Sequence, residues 1–384
     1  MQIMNLYRTY ENPINNINKP INNNAISFAS KKISFEEVFA ELPFKKLIKE
    51  GLPGAYSGIR LLPPEELKTL ESLDMLTVPL KMPFDYLLSY KDMLFKNAKE
   101  LINDMKKIRE KNPYKTIQDI IYNLFPKAET NLQDKQLKIL CDAIHISEKL
   151  PKDDYQKVKN LLETRLCAIF NPNNEKTVIE SSDLLISQVL SLGIGNKKIT
   201  KQICNKLKKL PSVSNSKDAL ICYCNNGDNS SQNIILKLLK LITATKEHIY
   251  PQSEQKKNNP NKKPWIYIYT TATANNNRKS MPFEQFMQYS IFPIKKNLQK
   301  HIDRLIEIHE IWTKNIKNTK SKKNIDKNKR INRELALYIL MLKQEIEKRA
   351  PGFKINVDKL ENSLGKTQFE SDNNKVKKWL ETQA

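Results

Sequence analysis

Two short segments bring together side chains able to move a proton, hold a hard cation and meet an anion. The first, Thr245 to Ser253, reads TKEHIYPQS, and the second, Asn275 to Phe283, reads NNNRKSMPF. An imidazole such as His248 can take a proton from water near neutral pH. The carboxylate of Glu247 and the amide of Asn275 offer oxygens of the kind that Mg²⁺ or Mn²⁺ prefers over thiolate. One base and two hard oxygen ligands suffice for phosphodiester hydrolysis, which needs a nucleophile made from water and a cation beside the phosphate. Arg278 follows Asn275 by three residues, one helical turn, and is expected to face the same side and meet a phosphate.

The elements that must position these groups can be read around them. His248 and Asn275 are 275 − 248 = 27 residues apart, a spacing that suits a strand, a loop, a second strand and a turn. Residues 265–270, WIYIYT, are aromatic and β-branched and form the clearest strand of the chain. Residues 244–250 and 219–224 read as shorter extended pieces flanking an amphipathic helix over 230–241. The loop 254–263 carries four lysines, Lys256 and Lys257 among them. With Lys279 beside Arg278, these are the expected phosphate-binding residues.

Together the two segments resemble the halves of an HNH nuclease site, in which an acidic residue and a histidine end one strand of a hairpin and an Asn opens the helix beneath it. The resemblance extends to Leu52 to Gly58, LPGAYSG, which is similar to the first zinc knuckle of many HNH proteins, and to Thr271 to Asn275, TATAN, similar to the second. Gly54, Ser57, Thr271 and Ala274 then stand at the four cysteine positions. The resemblance implies a ββα-metal unit with His248 as base and Glu247 and Asn275 as ligands to Mg²⁺ or Mn²⁺. It implies no structural zinc, because none of the four positions supplies a thiolate.

The rest of the chain reads as mainly α (α+β overall). Residues 1–32 form an Asn-rich tail, with eight Asn in the first 24 positions. Residues 33–82 begin with a capping pattern at Ser34 to Glu37, hold the first knuckle and continue into a helix start at Pro63 to Leu67. Residues 83–211 read as a helical domain inserted between the knuckles, with segments at 116–124, 130–149, 153–170, 181–192 and 198–209 punctuated by prolines and Gly193 to Gly195. Residues 212–313 hold the HNH-like unit and a long helix from Lys295, in which His301 and His309 belong to the helix faces. Residues 314–384 begin as a basic linker and continue into helices at 332–349 and near 376–380.

Composition narrows the function classes. Among 384 residues, Lys and Arg exceed Asp and Glu by 23, and the isoelectric point is about 9.5. The basic residues cluster: 314–333 holds nine Lys or Arg against one Asp, and 196–209 holds six lysines and no acid. Such runs attract a polyanion, with nucleic acid, DNA above all, as the expected partner. No apolar run is long enough to cross a bilayer and no signal-type apolar segment opens the chain, which points to the cytoplasm and to no membrane partner. Five irregularly spaced cysteines suit reduced thiols, with Cys222 and Cys224 expected as buried positions on a strand. Three functions are compatible with this pattern: a metal-dependent HNH-type endonuclease, a catalytically degenerate HNH-like module that binds nucleic acid or is structural, and a helical scaffold that binds protein.

Overall fold

The computed structural model describes residues 42–72, 87, 89–90, 93–169, 182–249, 266–278, 281–318 and 322–382. The tail, the capping pattern at Ser34 and the 254–263 loop with Lys256 and Lys257 lie outside these residues, as does Lys279. Among the described residues the protein is mainly helical, with fifteen helices and one two-stranded sheet. The helices that precede the sheet are α1 (Phe44–Lys49), α2 (Pro64–Ser72), α3 (Lys96–Lys111), α4 (Ile117–Ser147), α5 (Lys152–Ile169), α6 (Ser182–Ser191), α7 (Lys197–Leu207), α8 (Lys217–Asn225) and α9 (Ser231–Lys240). Strands β1 (Ala244–His248) and β2 (Tyr267–Thr271) follow. After them come α10 (Ala272–Arg278), α11 (Phe283–Tyr289), α12 (Ile294–Lys317), α13 (Lys322–Arg349), α14 (Asp358–Leu364) and α15 (Lys366–Thr382).

Two apolar cores hold these helices, and neither follows the sequence boundaries at 83 and 211. One core joins Leu62, Leu67 and Leu70 to α3, the first half of α4, α8 and α9. The other joins the Leu47 to Leu61 region to the second half of α4, α5 to α7, the hairpin and everything after it. Helix α4 links them. Its 31 residues rise about 45 Å at 1.5 Å each, with Ile117, Ile120 and Ile121 in one core and Leu140 and Ala143 in the other.

Several expectations are corrected by this packing. Pro126 does not separate two helices but sits inside α4. Its ring is exposed, and the residue whose carbonyl loses an N–H donor, Tyr122, is 67% exposed, so water can replace the missing bond. Residues 219–224 are helical, not extended. Ser216 caps α8 by accepting from the Ala219 N–H at 3.3 Å, and Ala219, Leu220 and Cys224 are buried against α3 and α4. Cys222 and Cys224 are therefore buried on a helix. The basic stretch 314–333 is likewise no linker where it is described, since α12 runs to Lys317 and α13 begins at Lys322.

β1 and β2 pair antiparallel with Ala244 opposite Thr271, Glu247 opposite Ile268 and His248 opposite Tyr267. The chain enters the hairpin directly from α9 and leaves β2 directly into α10, where Thr271 Oγ1 accepts from the Ala274 N–H at 3.3 Å. Leu62 docks the preceding segment on the hairpin's start: its N–H donates to Ile242 O, and its carbonyl accepts from the Ala244 N–H at 2.8 Å.

Candidate functional site

Arg278 is the point on which the hairpin, α10 and the Gly54 turn converge. It is 2% exposed, and its guanidinium donates to five internal acceptors. Nη1 reaches Glu247 Oε1 and His248 O at 2.5 Å each and the Tyr56 hydroxyl at 2.9 Å. Nη2 donates to Ile249 O at 2.9 Å and Nε to Met281 O at 3.2 Å. Successive carbonyls of a regular strand point to opposite edges, whereas those of His248 and Ile249 both turn to one guanidinium. β1 therefore ends by curling around Arg278. The expectation that Arg278 meets a phosphate is corrected: α10 buries Thr273, Ala274, Asn277 and Arg278 and leaves Asn275 and Asn276 outward, so the residue one turn after Asn275 points inward.

The two turns similar to zinc knuckles lie against each other. Ala55 N–H donates to Tyr269 O at 2.8 Å, and a Cβ on Gly54 would lie 3.2 Å from the Thr271 backbone nitrogen. Glycine is thus required at 54 for the turn to reach β2. At the former cysteine positions stand a glycine with no side chain, the Ser57 hydroxyl, the Thr271 hydroxyl and the Ala274 methyl. This donor set does not fit a tetrahedral zinc site, whose ligands are thiolate, imidazole or carboxylate. Hydrogen bonds and packing replace it: Ser57 Oγ accepts from the Ile59 N–H, Thr271 and Ala274 are fully buried, and Tyr56 packs edge-on to Phe286 at 4.9 Å between ring centroids.

Helix α12 braces the first turn from outside. Asn297 donates to Tyr56 O at 2.5 Å, His301 Nδ1 lies 2.6 Å from Pro53 O, and Arg304 donates to Glu50 O. Trp312 Nε1 donates to the Glu50 carboxylate at 2.9 Å. His301 is therefore a support for the turn, and burial holds its imidazole neutral, its pKa lowered to about 4. Asn297, His301 and Arg304 fall at i, i+4 and i+7, a polar stripe on an otherwise apolar helix face. That stripe was the sequence signal for the contact. Tyr56, the other residue that the site depends on, stood inside LPGAYSG without an assigned role.

The three side chains expected to do chemistry occupy different positions around the end of β1. Glu247 faces α10. Its side chain keeps 10% of its surface exposed, Oε1 accepts from Arg278, and Oε2 takes no share in that bond. Burial pushes the carboxyl upward from its ordinary range against the pull of Arg278. Asn275 donates Nδ2 to Lys246 O and Thr245 Oγ1, both at 3.3 Å, which leaves its Oδ1 as the acceptor not used in these bonds. His248 packs its ring against its cross-strand partner Tyr267 at 4.5 Å, and burial, with Arg278 and Lys246 nearby, lowers its pKa to about 4. The imidazole is neutral at physiological pH and able to accept a proton.

A hard divalent cation fits what is left over. Glu247 Oε2 and Asn275 Oδ1 are a carboxylate and an amide oxygen, both uncommitted to the bonds above, and Arg278 fixes the carboxylate from behind, as partners of metal-ligating carboxylates do. Among the described residues no group of three or more His, Cys, Asp and Glu side chains stands together, so such an ion would depend on water or substrate oxygens for its remaining ligands. Of the two lysine-rich runs, 196–209 lies on α7, where Lys197, Lys198 and Lys201 are exposed while Lys206 pairs with Asp142. No described helix is long and apolar enough to cross a membrane. The chain matches no family model, no curated protein and no solved structure, so its reading rests on its own residues and their arrangement.

Proposed function

We propose that the protein is an HNH-like, divalent-metal-dependent endonuclease acting on DNA. The observation that carries this reading is the Arg278 cluster, which ties the Tyr56 turn, the end of β1 and α10 together and leaves Glu247 Oε2, Asn275 Oδ1 and a neutral His248 at one end of the hairpin. In this reading His248 takes the proton from the attacking water. Glu247 and Asn275 would hold Mg²⁺ or Mn²⁺, which supplies charge neutralisation at the phosphate and the leaving oxygen. Arg278 is a positioning residue that orients Glu247 and anchors the backbone of His248. The net charge of +23 draws the polyanion to the protein.

A second reading, a degenerate HNH-like module that binds nucleic acid without cleaving it, is favoured by one specific observation. The Glu247 carboxyl is mostly buried, gives one oxygen to Arg278 and is shifted toward its protonated form; a guanidinium in that position can replace a cation structurally. Plasmid nicking with Mg²⁺ or Mn²⁺, against EDTA and against His248→Ala, separates the two. Metal-dependent cleavage lost in the variant supports the nuclease. Binding to DNA in EDTA with no cleavage under any divalent ion supports the module.

A further inference from the structure

A second polar site lies far along α12 from the Tyr56 turn, where α12, α13 and the pair α14–α15 meet. A pocket of about 360 Å³ opens there, lined by His309, Thr313, Lys317, Lys329, Asn332 and Arg333 among others. Its size falls within the lower part of the range of about 300–1,000 Å³ that small-molecule sites occupy.

The polar groups in its wall are arranged in a chain whose last atoms have no partner. Thr313 Oγ1 donates its single proton to His309 O at 2.8 Å, so it can only accept from Asn332, whose Nδ2 reaches it at 2.7 Å. That fixes the amide's orientation. Asn332 Oδ1 then remains buried with no hydrogen bond, and so does His309 Nδ1, in residues only 7% and 2% exposed. Buried acceptors and ring nitrogens without partners are costly unless something supplies the missing bond.

The rim is positive. Asp372, fully buried, is the pocket's carboxylate, and it is already matched by Arg333 at 3.2 Å, Lys375 at 3.5 Å and Gln368 at 2.6 Å. Lys317 and Lys329 form no ion pair among the described residues and keep their ammonium groups for something else. A ligand that satisfies all of this carries an anion for the two lysines and a hydroxyl donor for Asn332 Oδ1.

We propose that this pocket binds a small phosphate compound, with the phosphate between Lys317 and Lys329 and a ligand hydroxyl donated to Asn332. The site is independent of the hairpin and of any nuclease activity there. Both free phosphate, which carries a hydroxyl in its monoanion, and a phosphate monoester with a sugar hydroxyl share this chemistry.

The test is calorimetric titration of the full chain with AMP and, separately, with inorganic phosphate. Saturable one-to-one binding is expected, weakened about tenfold or more, the weight of about 1.4 kcal/mol, in Lys317→Glu/Lys329→Glu. The same charge change at Lys197→Glu/Lys198→Glu, on α7, leaves it unaltered. Phosphate that displaces AMP at equal concentration identifies free phosphate as sufficient, and AMP binding that phosphate displaces only at large excess identifies the monoester. No saturable binding of either up to roughly millimolar concentration, or equal weakening in both double variants, overturns the proposal. Both sets of lysines are exposed, so the comparison does not depend on a variant that disrupts the core.

Discussion

Replacing Arg278 with methionine keeps the length of the side chain and removes all five donated hydrogen bonds. Glu247 is then left as an unpaired, mostly buried carboxyl, and breaking a buried pair from one side costs about 3–5 kcal/mol. The carbonyls of His248, Ile249 and Met281 also lose their donor. Buried acceptors left unsatisfied cost about 1–3 kcal/mol each, but the curled end of β1 can relax toward solvent, so the contributions do not add fully. A loss of about 4 kcal/mol or more is expected, a large part of the 5–15 kcal/mol by which a typical domain is stable. Urea unfolding of wild type, Arg278→Met, Glu247→Gln and the double variant measures it. Glu247→Gln keeps an acceptor for Arg278 and is expected to cost about 1–2 kcal/mol. In the double variant the combined loss falls short of the sum by at least about 1 kcal/mol, because the unpaired carboxylate is gone. A loss under about 1 kcal/mol in Arg278→Met, or strict additivity, would refute the claim that this guanidinium holds the site together.

Three further outcomes follow from particular residues. His301 and His309 have pKa values lowered by burial from 6.5 to about 4, so the unfolded state binds more protons between these values and stability falls as pH drops through that window. By pH 5 each contributes a loss of about 2 kcal/mol, which is reduced in His309→Asn. Asp183, raised by burial to about 7, acts in the opposite sense, and Asp183→Asn therefore steepens the acid loss read from urea midpoints. Gly58 has φ +68°, and an added Cβ would overlap the Asn297 amide, whereas Gly193, at φ +67°, has open space around it. Gly58→Ala is expected to cost clearly more than the conformational penalty of about 1–2 kcal/mol that Gly193→Ala carries, and equal melting temperatures for the two would show that the turn is not clamped by α12. Reversing Lys197, Lys198, Lys314 and Lys327 to Glu lowers the slope of log affinity for DNA against log salt by about 0.9 for each phosphate that the protein no longer neutralises, and an unchanged slope assigns these lysines to solvation.

The sequence was most legible where one element determines its own structure. The apolar period of α9 and α12 and the aromatic and β-branched run of β2 each lie within about two residues of the observed ends. It misled where packing decides. CYC at Cys222 to Cys224 alternates like a strand, yet the surrounding Ala219 to Ile221 run is drawn into a helix by the groove between α3 and α4. The lysine-rich stretch after Lys314 looked too polar for a helix, but α12 and α13 continue through it with their charges in solvent, where lysine is a good helix former. At the site, residue types and spacing pointed to Glu247, His248 and Asn275 around one hairpin end. The inward turn of Arg278 was not legible, because its partner Tyr56 lies 222 residues away in sequence and nothing local in NNNRKS marks which face is buried.

Plasmid cleavage by His248→Ala is the most direct test of the nuclease account. With Mg²⁺ or Mn²⁺ the wild-type protein is expected to nick or cut DNA, to stop in EDTA, and to lose on the order of a hundredfold or more of its rate in the variant, while DNA binding persists because one imidazole does not supply the affinity. Equal cleavage by wild type and variant, or no cleavage by the wild type under any divalent ion, would contradict it.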